Sequence, residues 1–323
     1  MILLIVKFVV GLSLIIKGAD WLTDGASDFA RRFNVSSLVI GLTIVAFGTS
    51  APELVVSVIS AVKGQTDIAI GNVVGSNIFN SLAIVGATAL ICPVACSKGN
   101  IRYDVPLCLL SSIVLFVMAN DTLLGAGEDV ISRSDGIVLL CFMAIFLSYS
   151  ITLGISSGND SEASGDRQSV EVGVWKSVLL FIIGLAGLIV GGEWMVDSAS
   201  GIATSMGVSQ SVIAITIVAA GTSFPELMTS VVAARKGDTD MALGNVVGSN
   251  IFNIFFILGI SAAISPLQRG NIGIIDFITL LLGAMLIWLF CRFGRKYHYI
   301  TRAEGAALTL CAVVYYILSI IKA

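Results

Sequence analysis

The sequence has little charge, almost no histidine and no cysteine pattern of a metal site. Only 12% of the 323 residues are charged and 56% are hydrophobic, whereas soluble domains have about 25% charged and about 45–50% apolar residues. The net charge of −3 provides no basic surplus for binding nucleic acid. The six cysteines lie in or beside apolar runs, without CxxC or Cys/His spacing. These deficits favour a chain embedded in a lipid bilayer, with no cofactor and no nucleic-acid partner.

Ten apolar runs are long enough to cross the roughly 30 Å of hydrocarbon in a bilayer. They lie at residues 2–17, 37–62, 68–92, 103–119, 134–152, 174–192, 209–233, 241–264, 273–291 and 303–321. We therefore predict an all-α polytopic membrane protein with ten transmembrane helices. The one strongly polar connection, residues 156–171, indicates a flexible linker between two groups of five helices. The predicted domains are a first five-helix repeat (1–152), a linker (153–172) and a second five-helix repeat (173–323).

The basic residues are distributed unequally between the two sets of loops. With loops numbered alternately from the amino terminus, 13 of the 18 Lys and Arg residues fall on one side and 5 on the other. Cytoplasmic loops carry the excess of basic residues. The linker is therefore expected in the cytoplasm and both termini outside.

The chain contains an internal repeat. Residues 41–93 align with 214–266 without a gap at an offset of 173, and 33 of the 53 positions are identical. The offset extends upstream, where Gly11, Gly18, Trp21 and Asp24 correspond to Gly184, Gly191, Trp194 and Asp197. Five spans, an odd number, separate equivalent positions, so the two copies must cross the membrane in opposite directions. Such inverted repeats are common in secondary transporters.

The first repeated block, GTSAPEL at 48–54 and GTSFPEL at 221–227, interrupts an apolar helix. Pro52 and Pro225 cannot donate a backbone hydrogen bond, so each helix should kink and leave carbonyls free to face a cation. Glu53 and Glu226 are carboxylates deep inside apolar segments, where a charge is costly unless it is paired or solvated. Neither has a basic residue in its own or its twin block, and we predict that a bound cation is the partner.

The second repeated block, GNVVGSNIFN, occurs unchanged at 71–80 and 244–253. Ser76 and Asn80 are four residues apart and share one helix face, and Ser249 and Asn253 do the same in the second copy. Gly71 and Gly75 have the small-xxx-small spacing that allows a neighbouring helix to approach closely.

Together the two blocks offer carboxylate, hydroxyl, amide and carbonyl oxygens without Cys or His. An all-oxygen, flexible site suits hard cations, and carboxylates that bind through both oxygens favour calcium over magnesium. With both glutamates ionised the site carries about −2, which one calcium ion or two sodium ions neutralise. The empty charged site is costly to move across the membrane, which is a physical reason for obligatory exchange.

At these residues the sequence resembles the calcium/cation antiporter superfamily, specifically the prokaryotic sodium/calcium exchangers, whose repeats carry G-T-S-x-P-E and G-N-x-x-G-S-N. The resemblance implies exchange of sodium for calcium by alternating access, with the first and sixth helices sliding as a gate. The apparent lack of organelle targeting and of large soluble domains favours a multi-pass protein of the prokaryotic cytoplasmic membrane. Its expected partners are calcium, sodium and lipid, and no obligate protein partner is evident. The resemblance implies cation ligands at Ala46, Thr49, Ser50, Glu53, Ser76, Asn80, Ala219, Thr222, Ser223, Glu226, Ser249 and Asn253.

One departure from the family and three alternatives bear on the function. Many sodium/calcium exchangers have Asp where this chain has Asn253, and its absence argues against potassium co-transport. A calcium/proton exchanger that uses the same two glutamates remains an alternative. A channel is disfavoured because no filter loop is recognisable, and an enzyme is disfavoured because Ser50 and Ser223 lack an activating His or Lys.

Overall fold

A computed structural model describes residues 2–33, 35–125, 127–162, 174–206 and 221–322. Its helices are α1 (Ile2–Arg32), α2 (Ser37–Thr49), α3 (Ala51–Val62), α4 (Thr66–Ile91), α5 (Asn100–Met118), α6 (Arg133–Glu162), α7 (Val174–Ser205), α8 (Phe224–Arg235), α9 (Thr239–Ile264), α10 (Ile274–Phe293) and α11 (Arg302–Lys322). Four two-residue strands lie between them: β1 (Val94–Ala95), β2 (Val130–Ile131), β3 (Leu267–Gln268) and β4 (Tyr299–Ile300).

The prediction of an all-helical polytopic membrane protein is confirmed. Within the described residues, eight helices are long and apolar enough to cross a membrane, and the bent pair α2–α3 adds a ninth span. The predicted span 209–233 lies partly outside the described residues, which resume at Gly221 as α8 begins.

Three helices are longer than their apolar runs predict. The first helix continues from the run 2–17 to Arg32 and has 31 residues, and α7 continues from 174–192 to Ser205 and has 32. At about 1.5 Å per residue each measures roughly 46 Å, well beyond the hydrocarbon core. Similarly, α6 continues to Glu162 and so includes the start of the predicted linker. Hydropathy marks where a helix meets water, but backbone hydrogen bonding carries the helix further.

The helices α1 and α7 pack against each other in antiparallel directions. A Cβ added at Gly11 would lie 2.8 Å from the Gly191 carbonyl oxygen, and one at Gly18 would lie 2.7 Å from that of Gly184. These are the four glycines that the repeat places at equivalent positions. Backbone contact without side chains gives helices in lipid a large dispersion gain, so α1 and α7 form a closely packed pair.

Two short antiparallel ribbons join the two halves of the chain. Strand β1 follows α4 and pairs with β4, which lies between α10 and α11; strand β3 follows α9 and pairs with β2, which lies between α5 and α6. Each ribbon therefore takes one strand from each half. The positions of β1 and β3 in the sequence differ by the repeat offset of 173.

Candidate functional site

A serine breaks the helix before Glu53, and its counterpart immediately precedes the helix that carries Glu226. Helices α2 and α3 meet at an angle of 50°, and Ser50 between them has φ −82° and ψ 8°. Ser223, at the start of α8, has nearly the same conformation, with φ −92° and ψ 8°. A proline follows in the first turn of each new helix, where its missing N–H leaves no hydrogen bond unmade. The predicted kink is therefore confirmed in the first repeat.

The two glutamates lie at the contact between the repeats and are fully buried. The Ser50 hydroxyl donates a hydrogen bond to Glu226 Oε1 at 2.9 Å, and the Ser223 hydroxyl donates to Glu53 Oε1 at 3.0 Å. These two bonds are equivalent under the offset of 173, so each repeat supplies the serine for the other repeat's carboxylate. In the described chain no Lys or Arg forms an ion pair with either glutamate.

Two asparagines hold the glutamate segments from the neighbouring helices. Asn72 Nδ2 donates to the Glu53 carbonyl at 3.2 Å and to the Ser57 hydroxyl at 3.0 Å. Asn245 Nδ2 makes the same two contacts, at the same distances, to the Glu226 carbonyl and the Ser230 hydroxyl. Each glutamate is thus fixed to the helix that carries the second repeated block of its own half.

The other predicted side chains of that block are buried, and one of them contacts a glutamate. Ser76 donates to Glu53 Oε1 at 3.3 Å, whereas the Ser249 hydroxyl has no hydrogen-bond partner. Asn80 and Asn253 are fully buried and lie in the π-helical segments Phe79–Ile84 and Phe252–Leu258. Such segments are frequent at functional sites because they turn side chains out of the regular helical register.

Several oxygens of the predicted ligands are buried without a partner. They are Oε2 of Glu53, Oε2 of Glu226, Oδ1 of Asn80, Oδ1 of Asn253 and Oγ of Ser249. A buried polar atom without a hydrogen bond costs about 1–3 kcal/mol, and more when it is charged. The amide nitrogen of Asn80 is also without a partner. Because two of the five oxygens belong to carboxylates, a cation is a partner that would satisfy them.

The remaining predicted ligands are placed less directly. Thr49 donates to Asn245 Oδ1 at 3.2 Å and to the Ala46 carbonyl at 3.3 Å, and Thr222 lies beside the Glu53 carboxyl group. The Ala46 carbonyl also accepts the Ser50 N–H at 3.0 Å, so the expectation that the kink frees this carbonyl is not met here. Ala219 lies outside the described residues.

The glycines of the first block make room for a neighbouring helix. A Cβ at Gly48 would crowd the side chain of Leu185 at 3.2 Å, and one at Gly221 would collide with the side chain of Val196. Both contacts are to α7. These glycines therefore let the long helix α7 pass next to the broken helices.

Sequence reasoning missed Asn72, Asn245 and the bridge between the repeats made by Asn77 and Asn250. Asn77 Nδ2 donates to the Asn250 carbonyl at 3.0 Å, and Asn253 Nδ2 donates to Asn77 Oδ1 at 2.8 Å. The signal was present, because all of these asparagines belong to the ten-residue block that the chain repeats exactly. Because the whole block is repeated exactly, residues on all faces of these helices were candidates for contacts. The prediction considered only the face that Ser76 and Asn80 share.

The chain matches the family model described as sodium/calcium exchanger protein over residues 3–152 and 176–321. It is 32% identical over 335 aligned positions to sodium/calcium exchanger MaX1 of Methanosarcina acetivorans, covering 94% of this chain and 95% of that protein. It is 35% identical over 302 positions to inner membrane protein YrbG of Escherichia coli, covering 90% and 89%.

The fold is similar to a solved structure of the sodium-calcium exchanger NCX_Mj. The TM-score is 0.82 at 34% sequence identity, and the comparison covers 99% of this chain and 98% of that one. The family model spans both halves, and the similarity in fold extends over nearly the whole chain. With its reciprocal glutamate and serine pairs, this multi-pass membrane protein belongs to the sodium/calcium exchanger family.

Proposed function

We propose that this chain is a secondary active antiporter that exchanges sodium for calcium across a membrane. The observation that carries the proposal is the pair Glu53 and Glu226, buried side by side at the contact of the two repeats. Each has one carboxylate oxygen bonded by a serine of the other repeat and one without a partner. Relatives named sodium/calcium exchangers match over almost the whole chain.

The charge of the site explains why transport would be coupled. Two ionised glutamates and neutral asparagines give about −2, and one Ca²⁺ or two Na⁺ cancel it. Moving an unpaired buried charge costs several kcal/mol, so the loaded protein changes conformation far more readily than the empty one. A third sodium ion would add a net positive charge and make exchange sensitive to the membrane potential.

The ligands proposed for the transported ions are those that the sequence predicts. Glu53 and Glu226 supply the charge, and neutral oxygens complete the coordination. The hydrogen-bond network and the unpartnered oxygens support all of these except Ala46, whose carbonyl is bonded, and Ala219. The neutral ligands proposed are Ala46, Thr49, Ser50, Ser76, Asn80, Ala219, Thr222, Ser223, Ser249 and Asn253.

The proposed architecture is ten transmembrane helices arranged as two inverted five-helix repeats, 1–152 and 173–323, around repeats 41–93 and 214–266. The antiparallel packing of α1 and α7 through repeat-equivalent glycines supports inversion. The two ribbons, which exchange strands between the halves in an equivalent way, support it independently. With the positive-inside rule, this places the linker 153–172 in the cytoplasm and both termini outside a prokaryotic cell membrane.

Calcium/proton exchange through the same glutamates is the second candidate, and it is not favoured. The family model and the named relative are both sodium/calcium exchangers. The relatives are transporters, so a catalytic role for the buried serines is not proposed.

Calcium uptake into proteoliposomes tests the proposal. Vesicles loaded with sodium are diluted into sodium-free medium containing ⁴⁵Ca²⁺ and compared with vesicles loaded with potassium or choline, each with and without an imposed pH gradient. Uptake that requires internal sodium is expected. Uptake that follows the pH gradient and ignores sodium would move the assignment to calcium/proton exchange, and equal uptake in choline vesicles would indicate a channel.

A further inference from the structure

The second halves of the long helices carry acidic residues that the internal repeat duplicates. Asp20 and Asp24 of α1 correspond, at the offset of 173, to Glu193 and Asp197 of α7. The lysines at the ends of the broken helices are also equivalent, because Lys63 follows α3 where Lys236 follows α8. The sequence therefore encodes two copies of one acidic pair and one lysine, on opposite sides of an inverted repeat.

Among the described residues, the lysine pairs with the acidic residues in only one of the two copies. Lys236 Nζ lies 2.8 Å from Asp24 Oδ1 and 3.4 Å from Asp20 Oδ1, and it donates to the Asp20 carbonyl at 3.0 Å. Within the described residues, no ion pair joins Lys63 to Glu193 or Asp197. Asp197 instead pairs with Lys7 at 3.0 Å, and the position equivalent to Lys7 is Leu180, which has no charge.

The apolar packing shows the same asymmetry. Helix α1 packs along α8, and Val232 of α8 is only 8% exposed in a cluster with Ala19 and Leu22 of α1. The equivalent contact, between α7 and α3, is at most marginal in the described chain. Ile59, the counterpart of Val232, is 46% exposed. One end of the interface is thus closed by ion pairs and apolar contacts, and among the described residues its repeat-equivalent end lacks both.

We infer that these residues form two alternating ion-pair latches. The inner latch, Lys236 with Asp20 and Asp24, is closed in this structure, and the outer latch, Lys63 with Glu193 and Asp197, closes in the opposite conformation. The inference rests on the proposed function, since only a transporter that alternates its access needs both states. Inverted repeats supply such states, because each half adopts the arrangement that the other half leaves.

The swap has a physical basis in the close α1–α7 contact. The backbones of α1 and α7 are in contact at the paired glycines, and separating the two helices would lose this packing. They therefore move against the remaining helices as one unit. A movement that draws Asp24 away from Lys236 brings Asp197 towards Lys63. Lys7 holds Asp197 while the outer latch is open, so the carboxylate is not left without a counter-charge.

Disulfide cross-linking during turnover tests the latches. The six native cysteines are first replaced, and this background is assayed for sodium-dependent calcium uptake. Three pairs are then introduced: Asp24→Cys with Lys236→Cys, Asp197→Cys with Lys63→Cys, and Leu4→Cys with Gly201→Cys. The third is the control, because a Cβ at Gly201 already lies 3.1 Å from the Leu4 side chain and both residues belong to the α1–α7 unit.

Copper phenanthroline should cross-link all three pairs, as measured by mass spectrometry of peptides. Cross-links at either latch should reduce exchange at least tenfold, and dithiothreitol should restore it, whereas the control cross-link should leave exchange within twofold. An outer pair that stays reduced in exchanging protein, or one that cross-links without inhibition, overturns the inference. If the cysteine-free protein instead carries no sodium-dependent calcium flux while the outer pair still cross-links, that result contradicts sodium/calcium exchange but still supports the alternation of the two latches.

Two single variants of the native chain provide a second measurement. Lys236→Gln weakens the inner latch and Lys63→Gln weakens the outer one, so the two should shift the half-saturating calcium concentration on the Lys63 side in opposite directions. Because apparent affinity scales with the fraction of the competent conformation, an increase of about threefold is expected for Lys236→Gln and a decrease for Lys63→Gln. A shift in the same direction for both contradicts alternation.

Discussion

At the scale of single residues, the site depends on each repeat completing the other. Glu53 is bonded by Ser223 and Glu226 by Ser50, so neither carboxylate belongs to one half alone. A cation between them would bridge one helix of each repeat. This placement couples ion occupancy to the relative position of the two halves.

Removing either glutamate charge should abolish calcium exchange. Glu53→Gln and Glu226→Gln each leave about −1 at the site, too little to balance Ca²⁺ in a buried environment. Sodium-dependent ⁴⁵Ca²⁺ uptake should fall at least a hundredfold in each variant, and Glu128→Gln, at an exposed loop position, should match the parent protein. Normal exchange in either site variant would refute the shared-site model.

A third carboxylate at the site should change the ion preference or pH dependence of exchange. The Asn253 amide nitrogen donates to Asn77, and its oxygen is buried without a partner. Asn253→Asp adds a negative charge that protons or a further cation must balance. Exchange would be measured against pH and against competing potassium. The repeat-equivalent Asn80→Asp, which adds the same charge at another proposed ligand, should also change the profile. An unchanged profile removes Asn253 from the site.

At the scale of secondary-structure elements, two devices hold the helices in place. Glycine contacts fasten α1 to α7, and short ribbons tie the end of one half to a loop of the other. The ribbon between β2 and β3 is reinforced by Arg269, which pairs with Asp129 at 2.9 Å and donates to Asn120 at 2.6 Å. The ribbon contacts lie outside the predicted spans, where water would otherwise compete for the backbone hydrogen-bonding groups.

The glycine contact predicts that alanine substitutions at two neighbouring positions of α7 will differ sharply in their effect on stability. A Cβ at Gly191 would lie 2.7 Å from the Gly11 carbonyl oxygen, whereas one at Gly192 would lie 3.9 Å from Pro225 in ordinary contact. Gly191→Ala should therefore destabilise the protein by about 1–3 kcal/mol through overpacking. Thermal unfolding in detergent measures this, with Gly192→Ala as the matched control. Equal midpoints would mean that α1 and α7 can separate at no cost.

The β2–β3 ribbon predicts a dependence of stability on pH. The Thr122 N–H and hydroxyl donate to Asp129, and together with Arg269 they lower the pKa of its carboxyl group. A lowered pKa in the folded state stabilises the protein above the unfolded value of about 3.9 and ceases to do so as pH falls through the folded value. Asp129→Asn should thus reduce the midpoint of thermal unfolding at pH 7. The difference from the parent should shrink below about pH 4, and a constant difference would exclude the ionised carboxylate as the cause.

At the scale of the whole molecule, the structure has two chemically similar ends in different states. Ion pairs close the end with Lys236, and the described residues form no such pair at the end with Lys63, although the sequence supplies equivalent groups to both. A symmetric sequence with an asymmetric structure is what an alternating transporter requires, because the second state is obtained by exchanging the roles of the halves.

The proposed orientation can be measured in whole cells. In a cysteine-free background, a membrane-impermeant maleimide should label Gln65→Cys, in the loop next to Lys63, from the outside. Ser164→Cys, in the linker, should be labelled only after the cells are permeabilised. The opposite pattern would invert the topology and assign the closed end to the outside.

Much of this description could be predicted from the sequence, because it depends on local composition or on the duplication. Long apolar runs indicated the spans, and the repeated GTSxPEL and GNVVGSNIFN blocks indicated an oxygen-rich cation site. The full lengths of α1 and α7 were underestimated, since Asp20 and Asp24 end the apolar run while the helix continues.

Tertiary structure alone decided how identical segments are used. In one copy of the repeated block, Gly248 packs on Leu42 and Ala46, whereas a Cβ at Gly75 would meet nothing within 4 Å among the described residues. Likewise Lys236 is paired with Asp24, whereas among the described residues its twin Lys63 forms no ion pair with the equivalent Asp197. The amino-acid sequence alone specifies the carboxylate, hydroxyl, amide and lysine side chains and their duplication in the two repeats. Which serine meets which glutamate, and which end is closed, depends on contacts between residues about 170 to 210 positions apart, and these are set by the packing of whole helices.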